Sequence, residues 1–86
     1  MTSEQTWFCY ILKCADGSLY TGITTEPPRR ERQHNDGSGA KYTRGRGPVK
    51  MVYCEPASSH AQALRREHEI RTLPRPLKLS LIRTAP

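Results

Sequence analysis

Apolar and polar positions along the chain divide it into short segments with different periods. Residues 7–14 (Trp-Phe-Cys-Tyr-Ile-Leu-Lys-Cys) are aromatic and branched, the composition of a half-buried strand. Asp16-Gly17 signals a turn, and residues 18–24 (Ser-Leu-Tyr-Thr-Gly-Ile-Thr) read as the returning strand. Glu26-Pro27-Pro28 stops that strand, and a proline near a first helical position suits a helix over about 27–35. Asn35-Asp36-Gly37-Ser38-Gly39 ends the helix and opens a basic, glycine-rich loop to Pro48. Residues 49–54 (Val-Lys-Met-Val-Tyr-Cys) form a third strand. Ser59-x-x-Gln62 fits a capping box for a helix running to about Leu73. Pro74 and Pro76 break the chain, and Leu77–Ile82 makes a short last helix or turn. The predicted order is ββαβαα: an α+β fold with a small three-stranded antiparallel sheet flanked by helices.

The hairpin register decides what its side chains can build. A two-residue Asp16-Gly17 loop pairs residues whose numbers sum to 33 and puts Tyr10 and Tyr20 on opposite faces. A three-residue Ala15-Asp16-Gly17 loop, with the glycine in a bulge, pairs residues summing to 32. Tyr10, Tyr20 and Gly22 then share one face, with Cys9, Ile11, Leu19 and Ile23 on the other. Only this second register assembles a polar site, and it is the one expected. In the later helix, Ala63, Leu64, Glu67 and Ile70 fall on one face. Glu67 therefore sits in an apolar stripe, where a carboxylate calls for a metal or an arginine partner. Glu69 points elsewhere, into solvent.

At 86 residues the chain has room for one small domain, 1–86, with a core over about 7–82 and flexible ends at 1–6 and 84–86. No apolar run is long enough to span a membrane and residues 1–6 carry no secretory pattern, so the expectation is a cytoplasmic protein without membrane or obligate protein partner. Three cysteines without C-x-x-C spacing suit reduced thiols rather than a disulfide framework or structural zinc. Fourteen Lys+Arg against eight Asp+Glu give a net charge of +6. The excess gathers at Arg29, Arg30, Arg32, Lys41, Arg44, Arg46 and Lys50, as in a nucleic-acid binder. The glycine-rich loop is not a P-loop, since it lacks the Gly-Lys-Ser/Thr element. His60 and His68 fit no ligand spacing and read as helix-surface residues. Arg30 and His34, four apart, share a face of the helix that follows the two tyrosines.

Phe8-Cys9-Tyr10, then Tyr20-Thr21-Gly22, then Arg30 and a later-helix Glu67 resemble a GIY-YIG endonuclease domain. The resemblance spans roughly residues 7–82. Residues 15–24, Gly39–Arg44 and Ala63–Glu67 are similar in particular to the short, stand-alone bacterial branch, the UPF0213 group. It implies that Tyr10 and Tyr20 are catalytic tyrosines, that Arg30 stabilises charge on the phosphate, that His34 occupies a His/Tyr position, and that Glu67 ligates a single divalent metal, Mg²⁺ or Mn²⁺. Only the tyrosine of the first motif is retained, and the one asparagine, Asn35, does not follow the metal helix.

Phosphodiester hydrolysis requires an activated water, a cation on the non-bridging oxygens and charge relief at the leaving group. Tyr10 is the preferred base once a cation lowers its pKa, His34 the second choice, and Tyr20 orients water or phosphate. Lys41, Arg44 and Arg46 would track a nucleic-acid backbone. The expected function is a metal-dependent DNA endonuclease acting on single-stranded or branched DNA, because so small a basic cleft favours flexible strands. The alternative is a nucleic-acid-binding module, for DNA or RNA, that keeps the fold without cleaving.

Overall fold

The computed structural model describes residues 6–84; the terminal segments expected to be flexible fall largely outside that range. Three strands, β1 (Trp7–Lys13), β2 (Leu19–Thr24) and β3 (Lys50–Ala57), form an antiparallel sheet in the order β2-β1-β3. Three helices, α1 (Pro27–Asn35), α2 (His60–Arg71) and α3 (Arg75–Arg83), complete the α+β fold, and one 3-10 turn over Lys41–Thr43 interrupts the basic loop.

Being central, β1 is covered on both faces, which is why its run of apolar residues barely alternates. Cys9, Tyr10, Ile11 and Leu12 are all buried. Tyr10, Leu12, Cys14 and Val49 pack with Tyr20 and Met51 on the face that α1 covers. Cys9, Ile11 and Ile70 pack with Leu19, Ile23, Val52, Tyr53, Leu81 and Ile82 beneath α2 and α3. A register shift between Ile11 and Leu12 gives β3 an extra residue there. Val52 and its neighbour Tyr53 can thus join the same cluster while Met51 joins the other.

The hairpin adopts the three-residue loop. Tyr10 pairs with Gly22 and Leu12 with Tyr20, so the numbers sum to 32. Gly17 takes φ +87°, a left-handed conformation that side chains disfavour, and Cys14 N–H donates to the Ser18 carbonyl at 2.9 Å to close the loop.

The elements differ from expectation in several details. β3 continues past Cys54 through Pro56, which an edge strand tolerates because only one side of its backbone is paired. Pro76 does not break the chain but lies in the first turn of α3, where a missing N–H costs nothing. Leu64 is 44% exposed rather than buried on the α2 stripe; Ala63 and Ile70 carry that packing. The Ser59 cap forms, its hydroxyl accepting from Gln62 N–H at 3.1 Å, while the Gln62 side chain turns to Arg65 instead of closing the box.

α1 is fastened to the start of β3 by side chains that behave like a strand. Asn35 Oδ1 accepts from Val49 N–H at 2.7 Å and Asn35 Nδ2 donates to the Val49 carbonyl at 3.1 Å. Glu31 accepts from Met51 N–H at 2.6 Å. This fixes the roll of α1 and hence where Arg30 and His34 stand.

Candidate active site

β1 and β2 carry Tyr10 and Tyr20 onto the α1 side of the sheet, where His34 meets both. Tyr10 Oη lies 2.9 Å from His34 Nε2, and His34 Nδ1 lies 2.8 Å from Thr43 Oγ1. His34 is 2% exposed and Thr43 1%. Both ring nitrogens of His34 are thus engaged, and Tyr10, 1% exposed, is as enclosed as the ring it bonds.

Two glycines make room for this line of groups. A Cβ on Gly22 would stand 2.5 Å from Tyr10 Oη and 2.7 Å from its Cζ; one on Gly39 would stand 2.5 Å from His34 Nδ1. The glycine of the second motif is therefore a clearance requirement of the first motif's tyrosine. Gly22→Ala is expected to cost about 1–3 kcal/mol by overpacking. Thermal denaturation should register this as a clear drop in melting temperature.

Burial dominates the electrostatics. It pushes the Tyr10 phenol up to about 12, although the neighbouring Arg30 guanidinium pulls the other way. With burial outweighing Arg30, the phenol is protonated at neutral pH. Burial also raises Tyr20. For His34, burial and then the Arg30 charge hold the imidazole below its ordinary value, so it is neutral at pH 7. Arg30 also donates to Gln33 Oε1 at 3.0 Å.

A cavity of about 200 Å³ opens across the outer edge of β2, lined by Leu19, Tyr20, Thr21, Tyr42, Glu67, Arg71 and Lys78. Because it straddles an edge strand, it joins Tyr20 from one face of the sheet to Glu67 from the helix on the other. Tyr10 is not part of its lining and is 1% exposed. Glu67 makes no hydrogen bond or ion pair among the described residues, so the arginine partner considered for it is not found; Arg66 instead bridges Glu55 at 2.8 Å and Glu69 at 3.3 Å.

The basic loop divides. Lys41 and Arg44 are exposed and form no ion pair among the described residues. Arg46 is engaged: it binds Asp16 at 2.7 Å and the Tyr42 carbonyl at 2.8 Å, and lies 4.4 Å over the Tyr42 ring. It is a strut between loop and hairpin turn, unlike Lys41 and Arg44. Tyr42 in turn stacks on Tyr20, centroids 5.7 Å apart at 27°. Sequence reasoning passed over Tyr42, Thr43, Arg71 and Lys78. The Gly39–Arg44 run pointed to the first two, but nothing local marked Arg71 and Lys78. Burial pushes the Cys9 thiol up to about 12, Cys14 is also buried, and Cys54, though exposed, has its thiol raised by partial burial and by Glu55.

Comparison with known proteins adds a lineage. The family model described as the GIY-YIG catalytic domain matches residues 6–79. A UPF0213 protein of Clostridium perfringens is 55% identical over 75 residues, covering 87% of this chain and 81% of the relative. One of Haloquadratum walsbyi is 53% identical over 74 residues, covering 86% and 83%. Such relatives extend to archaea, beyond the bacterial branch expected. The solution structure of a UPF0213 protein from Bacillus halodurans superposes with a TM-score of 0.57 at 47% identity, covering 90% of this chain and 82% of that one. The solution structure of an E. faecalis protein gives 0.62 at 40%, covering 98% and 90%.

Proposed function

The chain belongs to the GIY-YIG family of nuclease-type catalytic domains, and from that premise we propose that it hydrolyses phosphodiester bonds in single-stranded or branched DNA with one divalent metal. The observation that carries this is the enclosed Tyr10–His34–Thr43 line, fronted by Arg30, beside a cavity holding the unpaired carboxylate of Glu67.

The donor set fits Mg²⁺ or Mn²⁺. No group of three or more His, Cys, Asp and Glu is placed to cage a metal among the described residues. A lone carboxylate, with waters and substrate phosphate as the other ligands, is how Mg²⁺ is commonly held. Glu67 would hold the ion, which when bound supplies Lewis acidity on a non-bridging phosphate oxygen.

The other steps fall to this chain's residues. Arg30, beside the Tyr10 phenol, draws the scissile phosphate against it and offsets charge gathering on the phosphoryl oxygens. Tyr10 is 1% exposed in the resting site, so the phosphate that Arg30 draws in must bring the attacking water to the Tyr10 oxygen, which takes the water's proton as its own proton passes to His34 Nε2. This avoids the free phenolate that burial disfavours, and it ends in an imidazolium still bonded to Thr43. Tyr20, on the cavity wall, orients water or phosphate. Arg71 and Lys78 on one side, and Lys41 and Arg44 on the other, hold neighbouring phosphates. A cavity this small suits a flexible strand.

The test incubates the protein with single-stranded, branched and duplex DNA and with RNA, in Mg²⁺ or EDTA. Cleavage of the first two that EDTA abolishes is expected; binding without cleavage in any divalent ion would leave the non-catalytic module standing. With about four phosphate contacts, the log–log salt slope of single-strand affinity should be near −3. Lys41→Ala with Arg44→Ala should roughly halve it while leaving turnover at saturating DNA largely intact.

A further inference from the structure

The enclosed line ends on a group that can only accept. Thr43 Oγ1 lies 2.9 Å from the Ala40 carbonyl and 2.8 Å from His34 Nδ1. A threonine hydroxyl has one proton, and a carbonyl oxygen has none. The Ala40 carbonyl also accepts from Thr43 N–H at 3.1 Å. If the hydroxyl proton pointed at Nδ1, the hydroxyl and carbonyl oxygens would still face each other across 2.9 Å with no proton between them, and a proton on Nε2 would leave the buried Tyr10 hydroxyl without an acceptor. The contacts are satisfied together only when the hydroxyl donates to Ala40 and Nδ1–H donates to Thr43. Nε2 is then bare, and the Tyr10 hydroxyl donates to it across 2.9 Å.

We infer that Thr43 is a positioning residue that fixes His34 in its Nδ1–H tautomer, so that the whole line is polarised from Tyr10 toward Ala40. Which ring nitrogen of a histidine is bare is set by what its other nitrogen binds. The groups facing the ring are few: Tyr10 from β1, Tyr20 from β2, Arg30 from its own helix and Thr43 from the 3-10 turn. None of the others approaches Nδ1 within hydrogen-bonding distance. Gly39, whose missing side chain leaves Nδ1 uncovered, keeps that approach open for Thr43.

The kinetic consequence rests on the nuclease reading, because only a bare Nε2 can take the Tyr10 proton; the tautomer itself does not. ¹⁵N-edited NMR of the imidazole in the wild-type protein near pH 7 should show Nδ1 protonated and Nε2 bare. Thr43→Ser, which keeps the hydroxyl, should preserve that pattern. Thr43→Val, similar in shape but without it, should move proton density to Nε2 and lower kcat by at least about 10-fold. KM should stay near wild type and Thr43→Ser should restore the rate. A wild-type spectrum with Nε2 protonated overturns the inference whether or not Thr43→Val folds. So does a folded Thr43→Val that retains both tautomer and rate. Wild-type protein that cleaves nothing while showing the Nδ1–H spectrum would instead remove the nuclease reading and leave the tautomer lock in place.

Discussion

Glu67→Gln is expected to lose cleavage by about three orders of magnitude while the fold holds. The carboxylate is assigned to the metal, whose charge stabilisation is worth several kcal/mol, and 1.4 kcal/mol is tenfold in rate. A glutamine of the same size is a much poorer ligand for a hard cation, so added Mn²⁺ should restore little. Stability should change by about 0.5 kcal/mol or less, because Glu67 has no ion-pair partner among the described residues to lose. A carboxylate holding a buried arginine would instead cost about 3–5 kcal/mol when removed. Glu69→Gln is the control: its contact with Arg66 is exposed and one turn away on the helix, so rate and melting temperature should both stay close to wild type. Metal-dependent cleavage and thermal denaturation on the same two variants read the result; a folded Glu67→Gln with near-normal rate would remove this residue from the metal.

Tyr10→Phe should be as damaging to the rate for a different reason. The ring stays above Gly22, so packing survives, but water loses its proton acceptor and His34 its link to the reaction. General-base loss is worth about 10²–10⁴-fold. The variant also leaves His34 Nε2 buried without a partner, at about 1–3 kcal/mol of stability. The pH profile separates the roles. Burial and Arg30 hold the His34 pKa below its usual value of about 6.5. Wild-type rate should therefore be flat near neutrality and fall as pH drops through that lower value, when Nε2 gains a proton and can no longer accept one. Stability follows the same sign: the depressed pKa contributes stability above about pH 6.5 that is lost on acidification. Residual cleavage by Tyr10→Phe should lack the acid step in rate; a wild-type-like acid limb would take His34 out of the proton path.

That Tyr10 and Tyr20 share one face of the sheet was legible because hairpin register is a local property. Asp16-Gly17 alone fixes which side of β1 Tyr10 faces once the loop length is chosen. What the local pattern hid was depth. Nothing near Tyr10 in sequence says how deeply it is buried, because that depends on α1, and α1 is held by Asn35 and Glu31 reaching β3. The basic loop hid a contact in the same way. Arg46 reads like Arg44 in sequence, yet a turn aspartate thirty residues away takes its charge. Thr43 looks like any loop threonine until the 3-10 turn brings its hydroxyl to His34.

The grip of Asn35 and Glu31 on the head of β3 also bears on how this chain behaves in a crowd of its own copies. An edge strand with free backbone donors is a template on which another chain's strand can add. Here the outward-facing amides of Val49 and Met51 and the carbonyl of Val49 are already taken by side chains of α1. The contacts that set the helix of Arg30 and His34 at its angle thus also cap that stretch of edge against intermolecular pairing. Loosening α1 would both disorder the site and uncover a sticky strand, so loss of activity and onset of aggregation should share one structural origin.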